Sequence, residues 1–171
     1  AKTAERILTE QLEKGRQEFS YLESVVQELQ QAELEQDFND IRTELTEGGY
    51  LRGRGKKQPG FQRASRPREF RSTAGLRILV GRSNCQNDKL TCQDADRRDI
   101  WFHTQKIHGS HVILCTGGIE PDRRSIEEAA SLAAYYSQGR EGGKVPVDYT
   151  PVKFVKKPAG GKPGMVVYTT Y

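Results

Sequence analysis

Residues 99–114 read Asp99-Ile100-Trp101-Phe102-His103-Thr104-Gln105-Lys106-Ile107-His108-Gly109-Ser110-His111-Val112-Ile113-Leu114, and their reading decides the fold. This stretch holds the one tryptophan and all three histidines of the chain. Trp101 and Phe102 followed by His103 predict a strand that carries an imidazole to its end. Val112 to Cys115 predicts a buried strand, because apolar and β-branched residues fit a pleated surface with core against it. Between the two, residues 106–110 must reverse the chain, with Gly109 supplying backbone freedom. Two imidazoles and a hydroxyl, from His103, His111 and Ser110, then gather beside the turn.

That gathering has a bland reading and a sharp one. A Trp-Phe pair is ordinarily core, and a histidine beside it is ordinarily hydrogen-bonded in place; the sharp reading is a ligand site. The spacing of His103, His108 and His111 matches no zinc signature, and Cys85, Cys92 and Cys115 form no C-x-x-C pair, so neither a metal nor another cofactor is expected. No nucleophile elbow accompanies Ser110, and no G-x-G-x-x-G or Walker loop is present. Hydrolase and nucleotide-driven chemistry are therefore unsupported.

Working outward, the bulk properties describe a chain in unlike parts. Only 35% of the 171 residues are hydrophobic and mean hydropathy is −0.76, so part of the chain contributes little to a core. No apolar run approaches the length of a membrane span, so no membrane partner is expected. Three irregularly spaced cysteines suit a reducing, cytoplasmic setting better than a disulfide framework. Residues 1–47 carry 5 positive and 12 negative groups, net −7, whereas residues 52–71 carry 8 positive and 1 negative, net +7. The remainder is mildly basic.

Leu8, Leu12, Gly15, Phe19, Leu22, Val26 and Leu29 alternate at spacings of 4 and 3, the seam of a coiled coil. The phase slips by one residue before Leu34, Phe38, Ile41 and Leu45 resume it. Residues 1–47 contain no proline and Gly48-Gly49 closes them, so they predict one coiled-coil helix about 65–70 Å long in which the slip rewinds the supercoil without ending it. One helix cannot bury such a seam alone. The partner helix is expected upstream in a longer protein or from a second copy. Residues 48–72 read as a flexible basic linker in which Arg52, Arg54, Lys56, Lys57 and the arginines after them are suited to phosphate backbones.

The body, residues 73–171, predicts strands at Leu76–Val80, Trp101–His103 and Val112–Cys115. A loop of amides and charges, Arg82 to Asp88, follows the first. A helix opens on a Ser125/Glu128 capping box ahead of an alanine-rich face, and three strands close the chain at Val145–Tyr149, Val152–Val155 and Met165–Thr170, the last two flanking a basic tip with Lys156, Lys157 and Lys162. The fold class is α+β: a mainly antiparallel sheet packed on one long helix, preceded by the coiled-coil helix.

Gly81-Arg82, Asn84, Asn87-Asp88-Lys89-Leu90-Thr91, Asp99 with Trp101-Phe102-His103, Gly109-Ser110-His111-Val112-Ile113, Glu128-Ala129-Ala130 and Lys162-Pro163-Gly164 together resemble the NFACT-R domain of the fibronectin-binding protein A-like family, whose members include RqcH-type ribosome quality-control factors. Ile41-Arg42-Thr43-Glu44-Leu45 with Gly49-Tyr50 is similar to the exit from that family's middle coiled coil. The resemblance implies an RNA-binding part of a factor that engages tRNA and the large ribosomal subunit (rRNA) after a stall and promotes alanine tailing of the nascent chain. It does not imply an enzyme. The residues expected at RNA are Arg82, Asn84, Asn87, His103, Ser110, His111, Lys156, Lys157 and Lys162, with Arg52, Arg54, Lys56 and Lys57 adding electrostatic grip. Two rivals are a fibronectin-binding surface adhesin and an RNA-processing enzyme using His103 and His111 as acid and base.

Overall fold

Period-two alternation in the central strands builds a sheet covered on both faces. In the computed structural model, which describes residues 1–53 and 65–169, five strands form one antiparallel sheet: β1 (Arg68–Arg71), β2 (Arg77–Val80), β3 (Ile100–Thr104), β4 (Val112–Leu114) and β5 (Val147–Pro151), in the order β1-β2-β4-β3-β5. Trp101 faces Ile113 across the β3–β4 pair, and Phe102 faces Val112. Ile78, Val80, Phe102, Val112 and Leu114 point to one side, where Ala129, Ala133 and Tyr136 of the helix Arg123–Tyr135 and its cap cover them. The small alanines let that helix lie close to the pleat. Trp101 and Ile113 point to the other side and pack with Leu90, Val152, Val155 and Tyr168. The expected α+β class stands.

The N-terminal segment departs from the expectation of one rod. α1 runs Lys2–Gln31 and ends at Ala32, whose extended backbone breaks the helix; α2 runs Glu35–Glu47 and turns back along α1. Tyr21, Val25 and Ile41 form their shared core, and the Tyr21 hydroxyl donates to Glu44 Oε2 at 2.5 Å. The phase slip is therefore a real corner. Asp37 stabilises it, since its Oδ2 accepts from the backbone N–H groups of Glu33 and Leu34, both at 3.1 Å. The seam residues Leu8, Leu12, Phe19, Leu22, Val26 and Leu29 remain exposed, while the opposite face of α1 packs on the sheet domain through Glu28 and Gln31.

Other expectations are corrected locally. The linker does not extend to residue 72, because β1 is an ordered edge strand paired with β2. Arg82–Asp88 is not a loop: Ser83 caps the helix α3 (Asn84–Lys89), which a π-helical turn, Leu90–Asp94, prolongs. The helix α4 (Arg123–Tyr135) is capped by Asp122, which accepts from Ser125 N, and Glu128 instead holds the backbone of Thr73. The segment expected as strand Val152–Val155 is a 3-10 turn, Val152–Phe154, leading into the two-residue strand β6 (Val155–Lys156), which pairs with β7 (Val167–Tyr168). Gly109 does not have a positive φ; a Cβ there would meet Ser137 Cβ and Thr104 Oγ1, both at 2.9 Å, so close approach explains the glycine. The left-handed residue of that turn is Lys106, φ 60.

Candidate functional site between the helical arm and the sheet

A cavity of about 500 Å³ lies where the polar face of α1 meets the end of β3 and the 162–168 segment, and all three histidines line it. β3 delivers Trp101 and His103 to one face by the two-residue period, and their rings stack at 5.6 Å between centroids, 5° from parallel. His111, just before β4, stands edge-on to both. α1 contributes Ser20, Glu23, Ser24, Gln27, Glu28 and Gln31, a polar stripe recurring at helical spacing.

The expected site residues divide by partner. His111 is buried and uses both ring nitrogens internally, Nδ1 with Thr91 Oγ1 at 2.8 Å and Nε2 with the Gly164 carbonyl at 3.2 Å. Burial pushes its pKa down to about 3, so it is a neutral core imidazole. Burial lowers the His103 pKa as well and favours its neutral form. Asn87 is buried; its Oδ1 accepts from His111 N, and a Cβ on Gly81 would collide with it. Both side chains are buried, and these hydrogen bonds give them a part in holding the fold.

Arg82, Asn84 and Ser110 fasten the arm. Arg82 donates from Nε to the Arg66 carbonyl at 2.8 Å and from Nη1 to Asp37 Oδ2 at 3.3 Å. Asn84 donates to Ser24 Oγ at 2.9 Å, and Ser110 Oγ donates to Gln31 Oε1 at 3.4 Å. Lys162 Nζ donates to Tyr50 OH at 3.1 Å, and Lys157 pairs with Asp88 at 2.9 Å while also donating to the Lys162 carbonyl. Lys156 is exposed, as is Arg52; Arg54, Lys56 and Lys57 lie outside the described residues. Among the described residues no group of His, Cys, Asp and Glu is placed to hold a metal ion, and no helix is long and apolar enough to cross a membrane.

Several functional groups are hidden from the sequence. Arg68, expected as a solvated ribbon residue, is buried; its Nη2 donates to the Gln31 carbonyl at 2.7 Å and its guanidinium sits 4.6 Å over the Tyr136 ring. Glu44 receives both the Tyr21 hydroxyl and the Cys85 N–H, the latter at 2.8 Å. Glu28 is buried in the cavity wall, and burial, then the Glu44 charge, raise its pKa well above the usual carboxyl value. Nothing in their local sequence marks them; only the docking of α1 on the sheet does. His108, to which the sequence assigns no role, stands at the cavity mouth, its Nε2 3.4 Å from Ser20 Oγ and 3.6 Å from Glu23 Oε2.

Residues 66–169 match the family described as the NFACT protein RNA binding domain, and residues 1–63 match the NFACT N-terminal and middle domains. The chain is 44% identical over 170 residues to the Rqc2 homolog RqcH of Bacillus subtilis (strain 168), covering 98% of this chain and 29% of that protein. It is 41% identical over 169 residues to the Rqc2 homolog RqcH of Streptococcus pneumoniae serotype 2 (strain D39 / NCTC 7466), covering 98% of this chain and 30% of that protein. The chain thus spans about three tenths of the length of these relatives. Among solved structures, the C-terminal part of the fibronectin/fibrinogen-binding protein from Streptococcus suis superposes with a TM-score of 0.91 at 40% identity, over 98% of this chain and 66% of that one. With both of its parts matched and its fold shared, the chain belongs to the NFACT family.

Proposed function

We propose that this chain is the RNA-binding C-terminal part of a cytoplasmic ribosome quality-control factor, engaging tRNA and the large ribosomal subunit and serving C-terminal alanine tailing without itself being a catalyst. The observation that carries this reading is the correspondence of residues 66–169 with the NFACT RNA-binding domain, alongside the RqcH relatives. The surface supports it. The Lys153 N–H donates to the Arg97 carbonyl at 3.0 Å, bringing two exposed cations together, and Lys156 follows on β6. A cluster of exposed cations beside the sheet suits a phosphate backbone, whose condensed counterions are released on contact.

The His103/His111 acid–base reading loses ground, since His111 has both nitrogens committed. Fibronectin binding is the second reading, resting on the name of the Streptococcus suis protein. The test is binding of the chain to tRNA and purified large subunits across a salt series, beside an Arg97→Ala/Lys153→Ala/Lys156→Ala variant and immobilised fibronectin. Wild-type affinity should fall steeply with salt, and the variant should flatten the log–log slope by roughly 0.7–0.9 for each phosphate it no longer neutralises. Fibronectin retention at physiological salt with no RNA binding would reverse the ranking.

A further inference from the structure

Strand β1 is an edge of the five-stranded sheet, and its outer side offers free backbone. Ser72 N donates to the Leu76 carbonyl at 2.8 Å where the β1–β2 hairpin closes, so the two-residue period turns the backbone groups of Phe70 and Arg68 towards β2. β2 gives the same phase independently. Gly81 N donates to the His111 carbonyl and the Arg77 carbonyl accepts from Cys115 N, so the odd-numbered residues of β2 bond β4, while Ile78 and Val80 bond β1. The N–H and C=O groups of Glu69 and Arg71 therefore point away from the sheet, and among the described residues none hydrogen-bonds them. The other edge is guarded: β5 ends on Pro151, which has no N–H, and the Tyr168 hydroxyl donates to Asp148 on it at 2.7 Å.

A groove runs beside the free edge. α4 lies mainly over β3 and β4, which leaves β1 at the margin, and Phe70, Ile78, Leu132 and Tyr135 wall about 410 Å³ of space there. Tyr135 is 45% exposed and stands edge-on to Tyr136. On an added strand, the side chain opposite Phe70 shares its face of the sheet and enters this groove. Charges on an edge strand ordinarily ward off pairing. Here they sit on the two residues whose backbone is free, are exposed, and have opposite signs. Such an edge rejects most strands and selects one pattern.

We propose that β1 takes an extended peptide segment of a partner protein as a sixth, antiparallel strand, its sequence acidic–apolar–basic lying opposite Arg71, Phe70 and Glu69. The acidic and basic residues each exchange two backbone hydrogen bonds with β1 and pair their side chains across the strands, while the apolar residue fills the groove. The proposal stands apart from the RNA-binding reading. Glu69-Phe70-Arg71 has this pattern itself, but a two-fold pairing about Phe70 sets the hairpin turn of one copy beside Arg68 of the other, where the arm docks through Gln31. A peptide one strand thick brings no such bulk.

The full chain is titrated into fluorescently labelled, capped peptides and followed by anisotropy. Thr-Thr-Glu-Val-Lys-Thr-Thr should bind saturably in the micromolar range, and Thr-Thr-Lys-Val-Glu-Thr-Thr at least tenfold more weakly, because both cross-strand pairs become like-charged. N-methylation reads the register. On the Glu or the Lys of the peptide it removes an N–H aimed at β1 and should weaken binding tenfold or more; on the Val, whose N–H points outward, it should leave binding unchanged. Serine in place of the Val should weaken binding by loss of the groove contact. The double variant Glu69→Arg/Arg71→Glu should invert the preference between the two charged peptides. Its new carboxylate at position 71 faces Arg77, which now pairs with Glu69 at 2.9 Å, so the melting temperature should hold. An inverted preference in a variant of unchanged stability assigns the peptide to this edge. No saturable binding at millimolar peptide overturns the proposal, as do equal affinities for the two peptides or a preference that the double variant keeps. Dimerisation in sedimentation equilibrium that the peptide competes away and Glu69→Arg abolishes makes a second copy the occupant, and overturns the partner peptide.

Discussion

Glu28 and His111 line one cavity yet set opposite pH dependences, and each follows from burial. His111 has its pKa depressed to about 3, so its contribution to stability is present above the ordinary imidazole range and is lost as pH falls towards 3. Glu28 has its pKa raised, so its contribution is fully present below about 4.5 and is lost as pH rises through the folded-state value. Replacing Glu28 with glutamine removes the second dependence alone. Thermal unfolding across pH 4–9 should show Glu28→Gln gaining on the wild type as pH rises, by at most about 1.4 kcal/mol per unit. A constant difference over that range would mean that Glu28 is ionised in the fold. The histidines are legible in sequence because they are rare and adjacent to Trp101. Glu28 is not, being one of several glutamates on an acidic helix, because its burial arises from a contact with residues more than fifty positions away.

The elements show the same division between what is local and what is not. Strands β3 and β4 are legible because alternating bulky residues leave little other choice, and α4 because its alanines share one helical face. α3 escapes the sequence reading although Ser83-Asn84-Cys85-Gln86 has the capping-box pattern: Ser83 accepts from Gln86 N, and the Gln86 side chain reaches back to accept from Arg82 N at 2.6 Å. The amide-rich composition obscures that signal. The corner between α1 and α2 shows in sequence only as a phase slip, since no proline or glycine marks it and Asp37 supplies the missing hydrogen bonds. Arg82 then ties that corner to the domain, its side chain 16% exposed against 1% for Asp37. Arg82→Ala strands a buried carboxylate and should cost towards the low end of the roughly 3–5 kcal/mol of a broken buried pair, because Glu33 and Leu34 still donate to Asp37. Hydrogen exchange should show amides of α2 losing protection while those of β3 and β4 keep theirs. Equal loss in the sheet would mean that Arg82 supports the whole domain and not the arm.

Over the whole molecule, the arm presents two faces with different uses. One face docks through Tyr21, Glu28 and Gln31; the other exposes Leu12 and Phe19 at 62% and 66%, within a row of apolar residues at coiled-coil spacing. Such a row is covered by another helix or left to associate. Among occupants, a second copy is the one this chain can supply itself, but two arms of net −7 repel. Salt screens that repulsion and leaves the apolar contact intact. Self-association should therefore strengthen with ionic strength, opposite in sign to RNA binding, which counterion release weakens. Sedimentation equilibrium at low and high salt tests this, beside Leu12→Lys/Phe19→Lys, whose side chains are exposed and whose change should leave the melting temperature unaltered. Concentration-dependent association that grows with salt and vanishes in the variant assigns the seam to pairing between copies. A chain that stays monomeric at high salt and high concentration reserves the seam for a helix of different sequence, and a variant that still associates moves the interface elsewhere on the surface.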